Sequence, residues 1–153
     1  MIELVKHPNQ VLRQVAQPVT DIQKVRDIVD QAAELMYAGD GVGLAAPQIG
    51  MLERFVLVDP SAGEDASALR VMINPKVTWS STETAVEVEG CLSLPGVHVP
   101  VVRPATINVS YTTLEGTEAN VLMTGNEARI AQHEIDHLDG VTLLQRAKRK
   151  HRR

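Results

Sequence analysis

Residues 133–137 read His-Glu-Ile-Asp-His and form the most chemically informative pattern in this 153-residue chain. Two histidines four positions apart lie on one face of a helix, where both imidazoles can bind the same ion. Glu134 then lies beside the ion without having to bind it. The pattern therefore predicts a divalent metal site with a neighbouring carboxylate for acid–base chemistry.

The third ligand decides the class of this site, because a catalytic metal keeps three protein ligands and one open position. One large class of zinc peptidases has a third His six residues after the second, but position 143 is Leu and no Glu follows Glu134. Upstream, the single cysteine, Cys91, follows a glycine at the end of a strand-like stretch. A lone cysteine is usually a buried apolar side chain. Beside a helix with two candidate ligands, however, a Cys91/His133/His137 site is the most economical prediction.

Length and composition exclude several other classes of protein. A chain of 153 residues with 44% hydrophobic content suits one compact domain with its own core. One cysteine cannot form an internal disulfide, which indicates a reducing compartment. No apolar run approaches the roughly 20 residues of a membrane-spanning helix. The first residues also lack a secretory or organelle-targeting pattern, so we expect a cytoplasmic protein.

The formal net charge of −4 is unevenly distributed. The acidic body of the chain repels nucleic acid, and its four aromatic residues are too few for a base-stacking surface. We therefore expect no sequence-specific contact with nucleic acid. The segment 146–153 is either a salt-sensitive contact with ribosomal RNA or a solvated end without function. Its basic residues, with no acid among them, are Arg146, Lys148, Arg149, Lys150, Arg152 and Arg153.

Hydrophobic periodicity predicts the elements that carry these residues. Apolar residues from Ile22 to Met36 recur at three- and four-residue steps after a capping box of Thr20 and Gln23, which predicts a long amphipathic helix ending at Gly39. Residues 41–50, rich in glycine and containing Pro47, are expected to form an extended, ordered loop. Strand-like stretches follow at 55–59, 71–74, 76–79, 83–88, 97–102, 106–112 and 118–123.

A second helix is predicted from Asn126, as N-cap, to about Leu138, before Gly140. This late helix carries the His-Glu-Ile-Asp-His motif. The predicted fold class is α+β, with antiparallel or mixed β-sheets around the late helix and a long amphipathic helix near the N-terminus.

Three segments together resemble the motifs of the peptide deformylases. They read Gly-Val-Gly-Leu-Ala-Ala-Pro-Gln at 41–48, Glu-Gly-Cys-Leu-Ser at 89–93 and Gln-His-Glu-Ile-Asp-His at 132–137. Shorter similarities at 7–13, 95–97 and 103–104 extend the resemblance over residues 1–145. The resemblance implies a catalytic domain at 1–145 followed by a basic C-terminal tail at 146–153.

The family resemblance implies an enzyme that removes the formyl group from N-terminal formyl-methionine of newly made polypeptides and releases formate. The metal in this family is commonly Fe²⁺, and Zn²⁺, Ni²⁺ or Co²⁺ can occupy the site. The implied metal ligands are Cys91, His133 and His137. The implied catalytic groups are the carboxylate of Glu134 as general base and acid, and the side-chain amide of Gln48 with the N–H of Leu92 as oxyanion donors beside the metal.

The resemblance also implies where the nascent formyl-methionyl peptide binds. Gly43 matches the position at which the substrate backbone pairs with the enzyme in strand-like fashion. The candidates to line the methionine pocket are Val42, Leu44, Leu92, Ile130 and His133. Arg103 contributes either an ion pair near the site or only a surface charge, and Gln132 and Asp136 are candidates to orient the metal ligands.

Two hypotheses from other classes remain open at this point. A zinc peptidase that cleaves internal peptide bonds is opposed by the missing downstream ligand. A non-catalytic binding protein would have a structural metal closed by a fourth protein ligand and would act at the ribosome through its tail. The source is either a bacterium or a virus of bacteria.

Overall fold

The computed structural model describes residues 2–151, and side chains as far as Ala147. Three helices and seven strands follow one another along this part of the chain. In chain order they are α1 (Ile22–Ala38), β1 (Gly43–Ala45), β2 (Phe55–Val58), β3 (Arg70–Ser80), β4 (Thr84–Cys91), β5 (Leu94–Pro104), β6 (Thr106–Thr112), β7 (Glu118–Thr124), α2 (Gly125–Leu138) and α3 (Leu143–His151). None of the helices in the described part is both long and apolar enough to cross a membrane.

Two antiparallel sheets surround α2. Five strands form one sheet in the order β1-β2-β3-β6-β7, and β4 and β5 form a separate hairpin. Every ladder between these strands is antiparallel, so the mixed sheet allowed by the sequence is not found among the described residues. Helix α2 packs against β1 and β2 on one side and against β5 of the hairpin on the other. The predicted ligands on α2 therefore lie between the two sheets.

The core has three parts, two of which lie on opposite faces of the large sheet. Val56 and Val58 of β2 pack in a cluster with α2, whereas Phe55 and Leu57 pack in a second cluster with α1. Successive strand residues point to opposite faces, so an unbroken apolar strand is one covered on both sides. A third cluster, including Leu143, joins α3 to the hairpin.

Both helices begin one or two residues away from their predicted N-caps. The N-cap of α1 is Asp21, whose carboxylate accepts the Gln23 N–H at 3.0 Å, so the expected cap by Thr20 is wrong. The N-cap of α2 is Thr124, which places Asn126 inside the first turn. Gly125, at a φ of 57°, lets the chain turn directly from β7 into α2, a geometry that the capping rule does not consider.

Two predicted stretches also differ from the observed elements. Residues 41–50 form β1, paired with β2, and then a 3-10 turn at Ala46–Ile49, rather than an extended loop. The stretches 71–74 and 76–79 form the single strand β3, because a register shift between Ile73 and Lys76 accommodates Pro75. Proline cannot donate to a ladder, and an irregularity of this kind removes the need.

Helix α3 extends into the segment 146–153, which the sequence predicted to be a basic tail. Helix α3 begins at Leu143, so Arg146 lies within it and forms an ion pair with Asp136 at 2.6 Å. The remaining basic side chains of the expected tail lie outside the described part, and the division at residue 145 stays a prediction.

Candidate metal centre

Three potential metal ligands meet between α2 and the hairpin. One ligand atom each from Cys91, His133 and His137 lies within 4.8 Å of the other two. The Cys91 Sγ is 3.4 Å from His137 Nε2, and the two imidazole centroids are 5.2 Å apart. The histidines lie one helical turn apart on α2, whereas Cys91 comes from the end of β4. The site therefore depends on how the hairpin packs against the helix.

Glu89 orients the first histidine. Its Oε1 lies 2.9 Å from His133 Nδ1, which leaves Nε2 of the ring for another partner. Arg103 donates twice to the same carboxylate, at 2.6 and 2.8 Å, and Arg129 once at 2.5 Å. Burial alone would raise the pKa of Glu89, but its hydrogen bonds to Arg103 and His133 lower it to about 2. The ionised carboxylate therefore favours the His133 tautomer with hydrogen on Nδ1.

The same network reaches the C-terminal helix. Arg103 Nη1 donates to Asp136 Oδ2 at 2.9 Å. Arg146 of α3 donates to both oxygens of Asp136, at 2.9 and 2.6 Å. Through these contacts the hairpin, α2 and α3 are joined next to His137. Asp136 and Arg103 are thus part of an ion-pair network beside the site, and Gln132 binds the Pro104 carbonyl at 3.0 Å.

The surroundings of the two histidines fit a bound cation. Burial alone lowers the pKa of His133, but the charge of Glu134 and hydrogen bonds to Cys91 and Glu89 raise it to about 10. The surroundings of this ring therefore favour a positive charge. Burial and the charge of His133 lower the pKa of His137 to about 3, which keeps its ring neutral. One thiol and two imidazoles suit Fe²⁺, Zn²⁺, Ni²⁺ or Co²⁺ rather than the hard cations Mg²⁺ and Ca²⁺.

Glu134 is buried beside the ligands and titrates near neutral pH. Its Oε2 lies 4.0 Å from His133 Nε2, and its Oε1 has no hydrogen-bond partner within the described part of the chain. Burial raises the pKa of Glu134 to about 7, although His133 and Arg103 act to lower it. A carboxyl group with this pKa can both accept and deliver a proton at physiological pH.

A cleft of about 360 Å³ opens at the candidate centre. It lies between the edge of β1, the hairpin and α2, and Val42, Gly43 and Ile130 line it. A Cβ on Gly43 would come within 2.5 Å of the Glu134 carboxylate and 2.8 Å of Ile130, so this glycine allows α2 to approach the strand. Leu44 is not part of the cleft: it is 1% exposed and packs in the α1 cluster, because adjacent strand residues point to opposite faces.

Gln48 and Leu92 approach the centre from two different loops. Gln48 is buried in the 3-10 turn, where its Oε1 accepts the Ala45 N–H at 2.9 Å. Its Nε2 lies 3.1 Å from Ser93 Oγ and 3.6 Å from Cys91 Sγ. Leu92 packs against Gly41, where a Cβ would come within 2.8 Å of the leucine side chain. This packing positions the residue that follows Cys91.

Sequence reasoning missed three residues that organise the site. Glu89 and Ser93 were included in the motif at 89–93 without a role of their own, and Arg129 was not named as a candidate site residue. The available signal for Arg129 was its place among apolar residues on the buried face of α2, where a charged side chain needs a partner. No comparable pattern distinguished Ser93.

Comparisons with known proteins identify similar chains over most of this length. The Polypeptide deformylase family matches residues 1–153. The peptide deformylase of Rhizobium meliloti is 47% identical over 139 residues, which cover 90% of this chain and 79% of the relative. That of Thermodesulfovibrio yellowstonii is 41% identical over 145 residues, or 94% of this chain and 87% of the relative.

Two solved structures have the same fold. A probable peptide deformylase from synechococcus phage S-SSM7 is 37% identical, with a TM-score of 0.90 over 95% of this chain and 99% of the other. The peptide deformylase of Synechococcus elongatus in complex with actinonin is also 37% identical, with a TM-score of 0.89 over 95% and 78% of the two chains.

Proposed function

Because this chain belongs to the polypeptide deformylase family, we propose that it removes the formyl group from N-terminal formyl-methionine of newly made polypeptides. The products are formate and a free N-terminal amine. The observation that carries this proposal is the group of Cys91, His133 and His137 beside the buried carboxylate of Glu134, at the cleft of about 360 Å³.

Cys91, His133 and His137 would hold one divalent ion, with Fe²⁺ as the proposed native metal and Zn²⁺, Ni²⁺ or Co²⁺ as substitutes. A bound ion of this kind acidifies water and polarises a carbonyl group. No fourth His, Cys, Asp or Glu joins the group within the described residues. Three protein ligands are typical of a catalytic rather than a structural site.

Glu134 would act as the general base and then as the general acid. It takes a proton from the water whose oxygen attacks the formyl carbon, and it delivers a proton to the amine nitrogen as the C–N bond breaks. Burial raises the pKa of this carboxyl group above its ordinary value, which favours its carrying a proton between the two steps. The unpartnered Oε1 of this carboxylate supports the proposal, because it is free to accept that proton.

Negative charge develops on the formyl oxygen during the attack, and two donors would stabilise it. One is the Gln48 Nε2–H group, which cannot lose its proton at physiological pH. The other is the Leu92 N–H, which donates to no backbone carbonyl in the described part of the chain.

The substrate backbone would pair with the free edge of β1 at Gly43, since β1 is the outermost strand of its sheet. Val42 and Ile130 would contact the methionine side chain, because both line the cleft. Leu44 has its place in the core instead.

A cytoplasmic location for this protein stays a prediction. The basic C-terminal residues would contact ribosomal RNA where nascent chains emerge. A chain ending at Ala147 tests the contact and spares Arg146. We expect weaker ribosome binding at low salt and unchanged formate release from a short peptide. Unchanged ribosome binding would argue against this role.

The decisive experiment measures formate release from a formyl-Met tripeptide by anaerobically prepared, Fe²⁺-loaded protein. Glu134→Gln should lower kcat by roughly 10²-fold or more. Glu115→Gln, a change on the exposed β6–β7 turn, serves as the matched control and should have no effect. No release from folded, fully loaded wild type would contradict the proposal, and cleavage of an unformylated, N-blocked peptide would support a peptidase instead.

A further inference from the structure

Ser93 lies between the two loops that would supply the oxyanion donors. It is fully buried, at 0% exposure, and directly follows Leu92. Its hydroxyl donates to the Val5 carbonyl at 2.6 Å and accepts from Gln48 Nε2 at 3.1 Å. A hydroxyl has a single hydrogen. Because Val5 accepts that hydrogen, Ser93 presents only a lone pair to Gln48.

This arrangement distinguishes the two orientations of the Gln48 amide. With the observed orientation, Oε1 accepts the Ala45 N–H and the NH₂ group faces Ser93 and Cys91. A flipped amide would place an NH₂ group against the Ala45 N–H and an oxygen against the Ser93 lone pair. Both contacts would lose a hydrogen bond in a buried position, which is costly. The Ala45 N–H and the Ser93 hydroxyl thus select the same orientation.

The N-terminal segment holds the two loops together. The Val5 N–H donates to the Gln48 carbonyl at 2.7 Å, and the His7 N–H donates to the Ser93 carbonyl at 2.9 Å. With the hydroxyl bond from Ser93 to Val5, three hydrogen bonds connect this segment to the loops at 46–49 and 91–94. The relative position of Gln48 and Leu92 therefore depends on Val5 and His7, which do not line the cleft.

We propose that Ser93 is a positioning residue, which together with the Val5–His7 segment holds one N–H of Gln48 and so directs the other, on the Cys91 side, toward the reacting formyl oxygen. This inference rests on the proposed function, in which Gln48 is an oxyanion donor. Loss of the hydroxyl leaves Gln48 in place but removes one of the two groups that orient it. The expected cost is about tenfold in kcat, less than the roughly 10²-fold or greater cost of losing an oxyanion donor.

A double-mutant cycle tests the inference on the full-length, metal-loaded enzyme. Ser93→Ala, Gln48→Ala and the double variant are compared with wild type for kcat and KM with a formyl-Met tripeptide. We expect Ser93→Ala to lower kcat about tenfold with KM nearly unchanged, and to lower it no further when Gln48 is already Ala. The absorption spectrum of the Co²⁺-loaded variants should remain that of wild type, since the ligands are untouched.

Ser81→Ala is the matched control. The Ser81 hydroxyl likewise donates to a carbonyl, that of Glu83 at 2.8 Å, and accepts an N–H, that of Thr106 at 3.1 Å, but it lies at the β3–β4 turn. This variant should lose stability without losing kcat. If Ser93→Ala fails to fold, Ser93→Cys is measured in its place, because a thiol fills the site but is a weaker hydrogen-bond donor and acceptor, and it should give the same pattern with Gln48→Ala.

The outcomes separate the two hypotheses. If Ser93→Ala lowers kcat by the same factor in the Gln48→Ala background as in wild type, the role of Ser93 is overturned and that of Gln48 is not. Unchanged kcat in Ser93→Ala would have the same meaning. If Gln48→Ala itself leaves kcat unchanged, both the oxyanion assignment and this inference are wrong. A changed Co²⁺ spectrum in Ser93→Ala would show that the residue acts on the metal ligands instead.

Discussion

Arg146 of α3 binds both carboxylate oxygens of Asp136, one residue before the candidate ligand His137. Asp136 also accepts from Arg103, whose guanidinium pairs with Glu89 on the neighbouring strand of the hairpin. Glu89 in turn holds His133. The C-terminal helix is therefore connected to a metal ligand through an unbroken series of charged hydrogen bonds.

Arg146→Ala should weaken the hold on the metal. Loss of this partly exposed bidentate pair is expected to cost about 1 kcal/mol of unfolding free energy and to accelerate loss of Co²⁺ to a chelator. Urea unfolding and the rate of change in Co²⁺ absorbance measure the two effects. Arg26→Ala, which removes an exposed contact to the Leu114 carbonyl, is the control. Equal rates of Co²⁺ loss in both variants would contradict the link to α3.

Glu89→Gln should be strongly destabilising. It leaves the buried side chains of Arg103 and Arg129 without their shared counter-charge, and breaking a buried ion pair in this way costs about 3–5 kcal/mol. The matched control is Glu87→Gln two residues earlier, since Glu87 also pairs with Arg129 but is 60% exposed. Its expected cost is at most about 1 kcal/mol. Denaturant unfolding of both apo proteins gives the comparison, and similar values would refute the distinction.

The Tyr37–Asp59 pair should make stability depend on pH at both extremes. Burial raises the pKa of Tyr37 to about 12, assisted by its hydrogen bond to Asp59. Burial alone would raise the pKa of Asp59, but hydrogen bonds from Tyr37, Ser61 and Gly63 bring it below its ordinary value of 3.8. The contribution of Tyr37 is therefore complete below pH 10 and lost between about pH 10 and 12. That of Asp59 is complete above its ordinary pKa and lost as the pH falls through the lower folded value.

Comparison with Tyr37→Phe isolates this pair, because titrations elsewhere in the molecule cancel. The difference in unfolding free energy between wild type and variant should be constant at neutral pH and should shrink above pH 10 and in acid. Chemical denaturation across this range measures the difference. A difference that is the same at every pH would be inconsistent with the assignment.

Gly43→Ala should impair the reaction and spare the ligands. The new methyl group would lie 2.5 Å from Glu134 Oε2 and 2.8 Å from Ile130, so the carboxylate must move. Because small displacements of a reacting group are costly, kcat/KM is expected to fall by roughly 10²-fold. The Co²⁺ absorption spectrum should stay that of wild type. Wild-type kinetics with the alanine in place would mean that Glu134 tolerates displacement.

Oxygen should inactivate the Fe²⁺-loaded enzyme and leave the Ni²⁺- or Zn²⁺-loaded enzyme active. Both the ion and the Cys91 thiolate can be oxidised when iron is bound. Activity is followed during aerobic and anaerobic storage, and mass spectrometry reports oxidation at Cys91. Undiminished aerobic activity of the iron form over hours would count against the proposed metal.

The sequence could predict the two histidine ligands and the neighbouring carboxylate because their spacing along the chain is short. The i and i+4 positions of His133 and His137 share a helix face in any α-helix, and Glu134 must lie beside them. The predicted strand at 106–112 agrees with β6, and most other predicted strands differ from the observed ones by a few residues at their ends. Alternating side chains and turn residues are local signals as well, so they indicate a strand without fixing where it ends. The need for a third ligand indicated Cys91, the single cysteine, and the family resemblance added Gln48 and Leu92, which no local rule connects to the helix.

Tertiary packing decided the rest. Cys91 meets His137 across 46 residues of chain because the hairpin packs on α2, and Leu44 lies in the core because β1 pairs with β2 in the register that turns it toward α1. The charges of Glu89 and Arg129 required partners, but only the folded chain determines which ones. Helix and strand periodicity arise from bonds between near neighbours, whereas ligand closure and buried charge pairing depend on distances between elements that are remote in sequence.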